Sequence, residues 1–502
     1  MIVEFCLVLL TFLLLLYKSL RKRGKLPSGP PPLPFIGNIH QLLGKDVHLK
    51  FSKWVEEYGK LYTVQFGTKR ALVISDPKLI KELFINPAST GRFVMEVFLV
   101  LGRGRYGIVN TDGSHWTEQK NFSARTLKSF GLSGIGKIVL EQQILRDIQE
   151  FLDKIRVETQ SLCIFDLTKR LNCNVMWKVI ASGGNKKGSE TEIVHYNHVA
   201  ELTEDYLNSM GKGTETGLAF LPWLKYIAPE LSGYNHLKSA ADKVYDLVAH
   251  HINERRKVFV KGDVKDVMDA YVEKLELCDD PKSTFYGKNG LRNSISSTLE
   301  LVTASGDTTP HTINWIMLYL AHHQNVQQKL CEEIDRVIGS DRSPSLVDRK
   351  NMPYYEAVLQ EILRLSSLGW MGIPHQLLND VEFEGYTLPK GLIILPNLFY
   401  VHHDPETWGD PENFRPERFI NEKGSFVRHE CMMPFGVGKR LCYGESIARD
   451  IIFLFIVRFF QVAQVFPESL ETKPDFKAKF GFLLTAKPFK VNLKWRGKMV
   501  SS

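Results

Sequence analysis

The residue best suited to carry chemistry is Cys442, in the stretch Phe435-Gly-Val-Gly-Lys-Arg-Leu-Cys-Tyr-Gly444. Glycines in this stretch allow tight turns or the close approach of a flat ligand. Residues 445–455 repeat apolar side chains every three or four positions and so predict a helix. The sulfur would then lie just before a helix N-terminus, which favours an anionic thiolate. Such a thiolate can hold haem iron from one side, and the alternative is a buried structural cysteine.

A second unusual stretch is Ala304-Ser-Gly-Asp-Thr-Thr309, inside a helix predicted over residues 293–320. The helix is apolar on most sides and should be central. Thr308 can hydrogen-bond back to the carbonyl of residue 304, and Pro310 predicts a kink. Asp307 beside Thr308 offers a proton route into a dry site. The alternative is a Ser/Thr-rich helix with a solvated aspartate.

Other charged residues have spacings that allow either a functional or a structural role. Glu361 and Arg364 are three apart on a predicted helix, a spacing that is common in surface ion pairs. Trp116 and Lys120 are four apart, as in a surface cation over an aromatic ring. Spacing alone therefore leaves both interpretations open for these residues.

The elements that would position these residues are mainly helices. Residues 61–67 and 70–75 alternate in polarity and predict two short strands. Asp76-Pro77 predicts the start of a helix. Helical patterns dominate after residue 110, and strand patterns return near residue 370. No repeat or break in composition divides the chain, so we expect one large, mainly α body.

Composition narrows the class of protein. The 502 residues are 44% hydrophobic and 24% charged, which is ordinary for a globular protein. The net charge is +8, and residues 1–25 contribute half of this excess, which suggests a membrane surface or an acidic protein partner. No motif supports binding to nucleic acid. Seven scattered cysteines give no disulfide framework and favour a reducing compartment.

The N-terminal segment is predicted to attach the chain to a membrane. Residues 2–17 are almost wholly apolar, apart from Glu4, and the basic cluster of residues 18–25 follows them. No small-x-small cleavage site follows, so an uncleaved transmembrane anchor over residues 1–20 is favoured over a cleaved signal peptide. The positive flank places the body in the cytosol. Residues 21–37 form a basic, proline-rich connector.

The cysteine loop resembles that of the cytochromes P-450. Its spacing matches the family's haem-loop signature F-x-x-G-x-R-x-C-x-G at Phe435, Gly438, Arg440, Cys442 and Gly444. Residues 304–309 resemble the family's oxygen-activation motif, with Ser305 where glycine is usual. The pairs Glu361-Ile-Leu-Arg364 and Pro416-Glu-Arg-Phe419 resemble its E-x-x-R and P-E-R-F elements.

The resemblance implies a fold and a division of the chain. It covers nearly the whole sequence and is greatest to animal microsomal members of the clan of drug- and steroid-hydroxylating enzymes. The implied fold is mainly α, a helical prism with a small β-sheet region, preceded by an N-terminal membrane anchor helix. Residues 38–502 would form a single catalytic domain.

The resemblance also implies a role for each matching residue. Cys442 would bind the iron of one haem b (iron protoporphyrin IX), while Asp307 and Thr308 would guide protons to O2. The other residues implied at the haem are Phe435, Gly438, Arg440, Gly444, Arg92, Trp116, Lys120 and His375. Lys120 stands where relatives carry arginine, and a lysine supplies the charge without the bidentate fork. Glu361, Arg364 and Arg418 would form a buried structural network that braces the haem face.

The implied activity is monooxygenation. One atom of O2 would enter an apolar substrate such as a lipid, steroid or xenobiotic, with electrons from NADPH through a cytochrome reductase and with cytochrome b5 as an optional second donor. The implied location is the endoplasmic reticulum membrane, with the catalytic domain on the cytosolic side. Two alternatives stay open here, a haem-thiolate isomerase or dehydratase acting on a peroxide, and a non-catalytic haem sensor or carrier.

Overall fold

The computed structural model describes most of the chain. The described residues are 4, 10–12, 26–44, 46–132, 134–157, 161–181, 190–215, 217–218, 220–469, 471 and 475–497. The anchor predicted over residues 1–20 therefore lies almost entirely outside them. Among the helices that can be described, none is both long enough and apolar enough to cross a membrane.

Helices make up most of the described structure, as predicted. In chain order, the helices of the first half are α1 Val47–Tyr58, α2 Pro77–Ile85, α3 Glu96–Leu101, α4 Gly113–Leu127, α5 Gly134–Arg156, α6 Ile164–Ala181, α7 Glu190–Glu215, α8 Leu224–Ile227, α9 Tyr234–Lys257 and α10 Val267–Glu276. Those of the second half are α11 Gly287–His322, α12 Gln324–Val337, α13 Pro353–Ser366, α14 Leu398–His403, α15 Pro405–Trp408 and α16 Glu445–Val462.

The strands of the described residues are short and form three small sheets. They are β1 Leu61–Phe66, β2 Lys69–Ile74, β3 Gly91–Arg92, β4 His375–Gln376, β5 Val381–Phe383, β6 Tyr386–Leu388, β7 Ile393–Pro396, β8 Ala463–Pro467 and β9 Val491–Trp495. The largest sheet has the order β1-β2-β7-β4-β3, while β5 pairs with β6 and β8 with β9. The largest sheet thus joins residues 61–92, in the first part of the chain, to residues 375–396.

Local sequence explains where these elements begin. Asp76 accepts hydrogen bonds from the N–H groups of Lys78 and Leu79, which caps α2, and Pro77 fits the first helical position. The hairpin of β1 and β2 pairs Phe66 with Lys69. Both features agree with the sequence prediction. The central helix α11 begins at Gly287 and is therefore longer than the helix predicted over residues 293–320.

The core has a large helical part and a smaller part beside the main sheet. In α11 nearly every described side chain from Asn293 to Ala321 is buried, and the exceptions cluster between Ala304 and His311. Helix α16 is buried along almost its whole length after Ile447. Helix α11 packs against α6, α7, α10, α13 and α16. The cysteine loop thus leads directly into one buried helix that contacts another.

Candidate active site

The loop before α16 is held in one conformation by close backbone packing. Gly438 has a φ of +73°, and a Cβ there would lie 2.1 Å from the carbonyl oxygen of Phe84 on α2. Glycine is therefore required both for the conformation and for the contact. The N–H of Cys442 donates to the carbonyl of Phe435 over 3.0 Å, which closes the loop on itself. The Phe435 ring in turn lies 5.1 Å from the guanidinium of Arg449 on α16.

The sulfur of Cys442 lies where the sequence predicted, just before α16. Its side chain is accessible. The surrounding protein raises the pKa of the thiol by desolvation, while the backbone N–H groups of Gly444 and Glu445 lower it. The predicted effect of the helix N-terminus is therefore present, but desolvation outweighs it. A thiol in this setting loses its proton when it coordinates a metal, because the metal charge dominates.

Arg440 ties the cysteine loop to two distant segments. Its guanidinium donates to the carbonyls of Thr90 at 2.9 Å and Ile108 at 3.1 Å, and also to that of Thr111. The guanidinium carbon lies 4.0 Å from the centre of the Trp116 ring. Three of the five N–H groups of an arginine are used in these bonds, so the group can still bind an anion.

Arg92 and His375 face each other across β3 and β4. Nη1 of Arg92 donates to the carbonyl of Ile373, whereas its buried Nε meets no hydrogen-bond acceptor in the described structure. Nδ1 of His375 lies 2.7 Å from the carbonyl oxygen of Ser89, and this ring packs 4.2 Å from that of Phe84. Burial lowers the pKa of His375 well below its usual value, and Arg92 adds to this effect, so the ring is neutral.

Trp116 and Lys120 lie on one face of α4, as their spacing predicted. The Lys120 ammonium is 5.8 Å from the centre of the Trp116 ring, which is itself buried. Trp116 therefore contacts two cations, Lys120 and Arg440. Of the residues predicted to contact the cofactor, Arg92, His375, Arg440 and Trp116 are joined through shared contacts, and Lys120 lies at the edge of this group.

Glu361, Arg364 and Arg418 form one buried network. Arg364 binds Glu361 through two hydrogen bonds of 2.8 and 2.9 Å, and Arg418 reaches the same carboxylate at 3.0 Å. The side chains of Glu361 and Arg364 are fully buried, and that of Arg418 is 6% exposed. Both guanidiniums also lie over the ring of Trp408. The pair is not the exposed ion pair that spacing alone suggested.

His402 connects this network to Met433, just before the cysteine loop, and the sequence prediction missed it. Its carbonyl accepts a hydrogen bond from Arg364, and its Nε2 accepts one from the N–H of Met433. Its Nδ1 lies 3.0 Å from the hydroxyl of Ser367. Burial lowers the pKa of His402 to about 3, so Nε2 is free to act as an acceptor. The pair His402-His403 is visible in the sequence, but its spacing does not indicate these contacts.

Asp307 and Thr308 lie on α11 within its partly accessible stretch. The Thr308 hydroxyl donates to the carbonyl of Ala304 at 3.0 Å, as predicted. The Ser305 hydroxyl bonds back to the carbonyls of Leu301 and Val302, so it is directed toward its own helix. No hydrogen bond among the described residues joins Asp307 or Thr308 to the loop of Cys442.

Glu300, two turns before Asp307 on α11, links this helix to the segment that Arg440 binds. Its carboxylate accepts hydrogen bonds from the N–H groups of Ile108 at 2.7 Å and Val109 at 3.1 Å. Burial raises the pKa of Glu300 to about 8, against these hydrogen bonds and the charges of Arg440 and Arg92. The sequence prediction missed this residue because a single acid in an apolar helix carries no motif.

Comparison with known proteins identifies the family. The family model for cytochrome P450 matches residues 27–493. The chain belongs to the cytochrome P450 family. It is 33% identical to cytochrome P450 2C16 of Oryctolagus cuniculus over 91% of this chain and 90% of the relative. It is 31% identical to cytochrome P450 2J2 of Homo sapiens over 93% and 90% of the two chains.

The name of a further relative states its substrate. The chain is 31% identical to the farnesoate epoxidase of Bombyx mori over 97% of each chain. The cytochrome P450 described here is thus of the animal type that the sequence suggested. It is a haem-thiolate monooxygenase that takes electrons from NADPH through a reductase, so the predicted activity and cofactor are confirmed.

The residues of this P450 fit a haem. Desolvation lowers the pKa of Arg92 to about 9 and that of Arg440 to about 8, which means that an anionic partner would stabilise the charged form of both side chains. The propionates of haem are such partners. The unpaired Nε of Arg92 and the sulfur of Cys442 supply the matching donor and ligand atoms.

Proposed function

We propose that Cys442 holds the haem and that Thr308 and Asp307 deliver the protons for O2 activation. The observation that carries this proposal is the partly accessible stretch Ala304–His311, which interrupts the buried part of α11 between Asn293 and Ala321. The bound haem supplies the iron at which O2 is reduced and from which one oxygen atom enters the substrate. A proton source beside that iron is required because cleavage of the O–O bond consumes protons.

The roles of individual residues follow from their contacts. The hydroxyl of Thr308 is held by the Ala304 carbonyl, which leaves its oxygen lone pairs free to accept a hydrogen bond. Asp307 follows Gly306, whose missing side chain leaves room for Thr203 and Cys173. Around the haem edge, Arg92, Arg440 and Trp116 would bind and orient the propionates, with Lys120 and His375 beside them. Gly438, Gly444 and Phe435 would shape the cysteine loop.

The test is the substitution Thr308→Ala, measured as product and hydrogen peroxide formed for each NADPH consumed. We expect the fraction of electrons that reach product to fall several-fold, because proton delivery is lost while haem binding is kept. Thr312→Ala is the matched control, since the Thr312 hydroxyl also bonds to a carbonyl one turn back, that of Thr308, over 3.0 Å. Unchanged coupling in Thr308→Ala would remove this residue from the proposed role.

The substrate is proposed to be an apolar lipid, steroid or xenobiotic. A small apolar cavity lies beside the main sheet, and its lining includes Met95, Phe220, Trp370 and Phe482. Such side chains suit the hydrocarbon part of a ligand. Farnesoate, on which the Bombyx mori relative acts by its name, is a suitable first probe. Binding of such a probe would be measured as a change in the haem absorption spectrum.

The proposed location is the endoplasmic reticulum membrane, with residues 1–20 as a single-pass anchor and the domain of residues 38–502 in the cytosol. Support comes from an exposed apolar surface on and beside α8, where Tyr226, Ile227 and Leu231 are 79%, 75% and 82% exposed. Such a patch is typical of a membrane contact. Cytochrome b5 is proposed as a second electron donor.

The membrane contact predicts that Ile227→Asp and Leu231→Asp weaken binding to phospholipid vesicles, because each places a charge in the bilayer surface. The matched control is Val258→Asp, a similarly exposed apolar position at the end of α9. Equal vesicle binding by all three variants and the parent protein would contradict the assignment of this surface.

A further inference from the structure

The partly accessible stretch of α11 contains a histidine to which neither the family motif nor the proposed function gives a role. His311 lies one turn after Asp307, and its Nε2 is 3.2 Å from Oδ1 of that aspartate. The two side chains are 14% and 15% exposed. The imidazole also stacks on the ring of Phe165 in α6, with 4.5 Å between ring centres and 24° between planes. The ring is thus fixed in orientation as well as in position.

The hydrogen bonding of this ring indicates which nitrogen carries the proton. Nδ1 of His311 is buried and has no hydrogen-bond partner in the part of the chain that the structure describes. A buried N–H group without a partner is costly, whereas a buried acceptor nitrogen costs less. The ring therefore places its hydrogen on Nε2, where it donates to the carboxylate of Asp307.

The neighbouring helices supply other titratable groups, but these are already engaged or neutral. Lys169 on α6 pairs with Glu204 on α7 at 3.2 Å, and its ammonium lies 5.6 Å from the ring of Phe165. Cys173 on α6 packs beside Gly306, and burial raises the pKa of this thiol to about 12, so it carries no charge. The direct contact to Asp307 is thus made by His311.

We propose that His311 is a positioning residue for the oxygen-activation step. Its Nε2–H group holds the Asp307 carboxylate in one orientation, and the stack on Phe165 holds the imidazole. Because Asp307 precedes Thr308 directly, fixing the carboxylate also fixes the route by which a proton reaches the Thr308 hydroxyl. A freely rotating carboxylate would spend less time in the orientation that transfers the proton. This inference rests on the proton-delivery role proposed above for Asp307.

Three substitutions at one position separate the hydrogen bond from the ring. In His311→Gln the side-chain amide nitrogen can reach the position of Nε2 and donate to Asp307. In His311→Asn the amide nitrogen is one bond shorter and corresponds to Nδ1. In His311→Phe the stack on Phe165 can persist without any donor. His322→Gln is the control, three turns further along the same helix, where the ring packs edge-on against Phe476.

The measurement is the rate of NADPH consumption with saturating reductase in H2O and in D2O, with and without farnesoate as a probe. We expect His311→Phe and His311→Asn to slow consumption about three- to tenfold and to raise the solvent isotope effect, because proton delivery becomes limiting. His311→Gln should stay within about twofold of the parent protein. The absorption of the reduced, carbon monoxide-bound protein reports whether each variant retains its haem thiolate.

The comparison with Asp307→Asn and Thr308→Ala separates this inference from the proposed function. Slow, isotope-sensitive consumption in Asp307→Asn together with parental behaviour in His311→Phe would overturn the role of His311 and leave proton delivery intact. Equal loss in His311→Gln and His311→Asn would also overturn it, since the donor at Nε2 would then be irrelevant. Parental rates and coupling in both Asp307→Asn and Thr308→Ala would refute the proposed function itself. If His311→Phe fails to fold, the Gln and Asn pair decides.

Discussion

Replacing Glu361 by glutamine tests whether the buried network supports the site. The carboxylate lies between two guanidiniums, at 2.8 and 2.9 Å from Arg364 and 3.0 Å from Arg418. Its Oε1 also accepts from the backbone N–H of Arg415. The substitution keeps the size of the side chain and removes the negative charge. Two buried cations are then left with a neutral amide between them.

The magnitude follows from these contacts. An amide oxygen in the place of Oε1 keeps the bonds from Arg418, Arg415 and one nitrogen of Arg364. The amide NH2 in the place of Oε2 then faces the Nε–H of Arg364, so a charge-assisted bond becomes a contact between two donors. Removing one partner of a buried ion pair costs about 3–5 kcal/mol. This is a large part of the roughly 5–15 kcal/mol by which a folded domain is stabilised.

The free energy of unfolding would be measured by urea titration, followed by tryptophan fluorescence and by haem absorbance. We expect the haem signal to be lost at lower urea than in the parent protein, because His402 couples the network to the cysteine loop. Glu417→Gln is the matched control, since its pair with Lys329 is exposed and worth about 1 kcal/mol or less. A Glu361→Gln protein with full haem content and a loss no larger than that of the control would refute the reasoning.

Two further substitutions test the loop and the central helix. Gly438→Ala should prevent haem binding, because the new Cβ would meet the Phe84 carbonyl. Gly436 has a similar φ of +77° but open space around it, so Gly436→Ala should cost about 1–3 kcal/mol from backbone strain and keep the haem. The measurement is the haem content of each variant, and equal haem binding by both would contradict the contact. The pKa of Glu300 is raised to about 8, so the fold favours the neutral form of this side chain. The resulting stabilisation is complete below the ordinary carboxyl pKa and is lost as the pH rises through 8. Protease sensitivity of residues 102–112 should therefore increase from pH 6 to 9 in the haem-depleted parent protein and stay flat in haem-depleted Glu300→Gln; identical pH profiles would refute the role of Glu300.

The elements could be predicted where one local rule decided them. Asp76-Pro77 is a strong helix start, and the two short strands before it are rich in β-branched and aromatic residues, so both predictions were correct. The start of α11 could not be predicted, because residues 287–292 are mostly exposed, include two glycines and carry no apolar repeat of helical period. Short strands such as Gly91–Arg92 exist because they pair with His375 and Gln376, far away in sequence.

The site was predictable to the extent that a motif specifies it. Cys442, Gly438 and Arg440 were predicted from their spacing, and the contacts of Gly438 and Arg440 explain why those two residue types occur there. Glu300 and His402 were not found, because their partners are backbone N–H groups of distant segments. Sequence spacing reports which side chains share a helix face, but it does not report which loop crosses that face. The site residues that the sequence prediction missed are therefore those whose role depends on tertiary contacts.

The charges around the proposed propionate site explain why haem binding and folding should be coupled. Arg92 is buried and Arg440 is partly buried, and the pKa of each is lowered mainly by desolvation, so without an anionic partner the two cations destabilise the protein. Glu300 is the buried acid that opposes them, and its own raised pKa shows that it compensates them only in part. Propionates bound beside the two arginines would supply the missing charge and would raise the pKa of Glu300 further, because like charges disfavour ionisation. Glu300 would then hold residues 108 and 109 as a neutral acid, so the charge that the fold lacks would come from the cofactor.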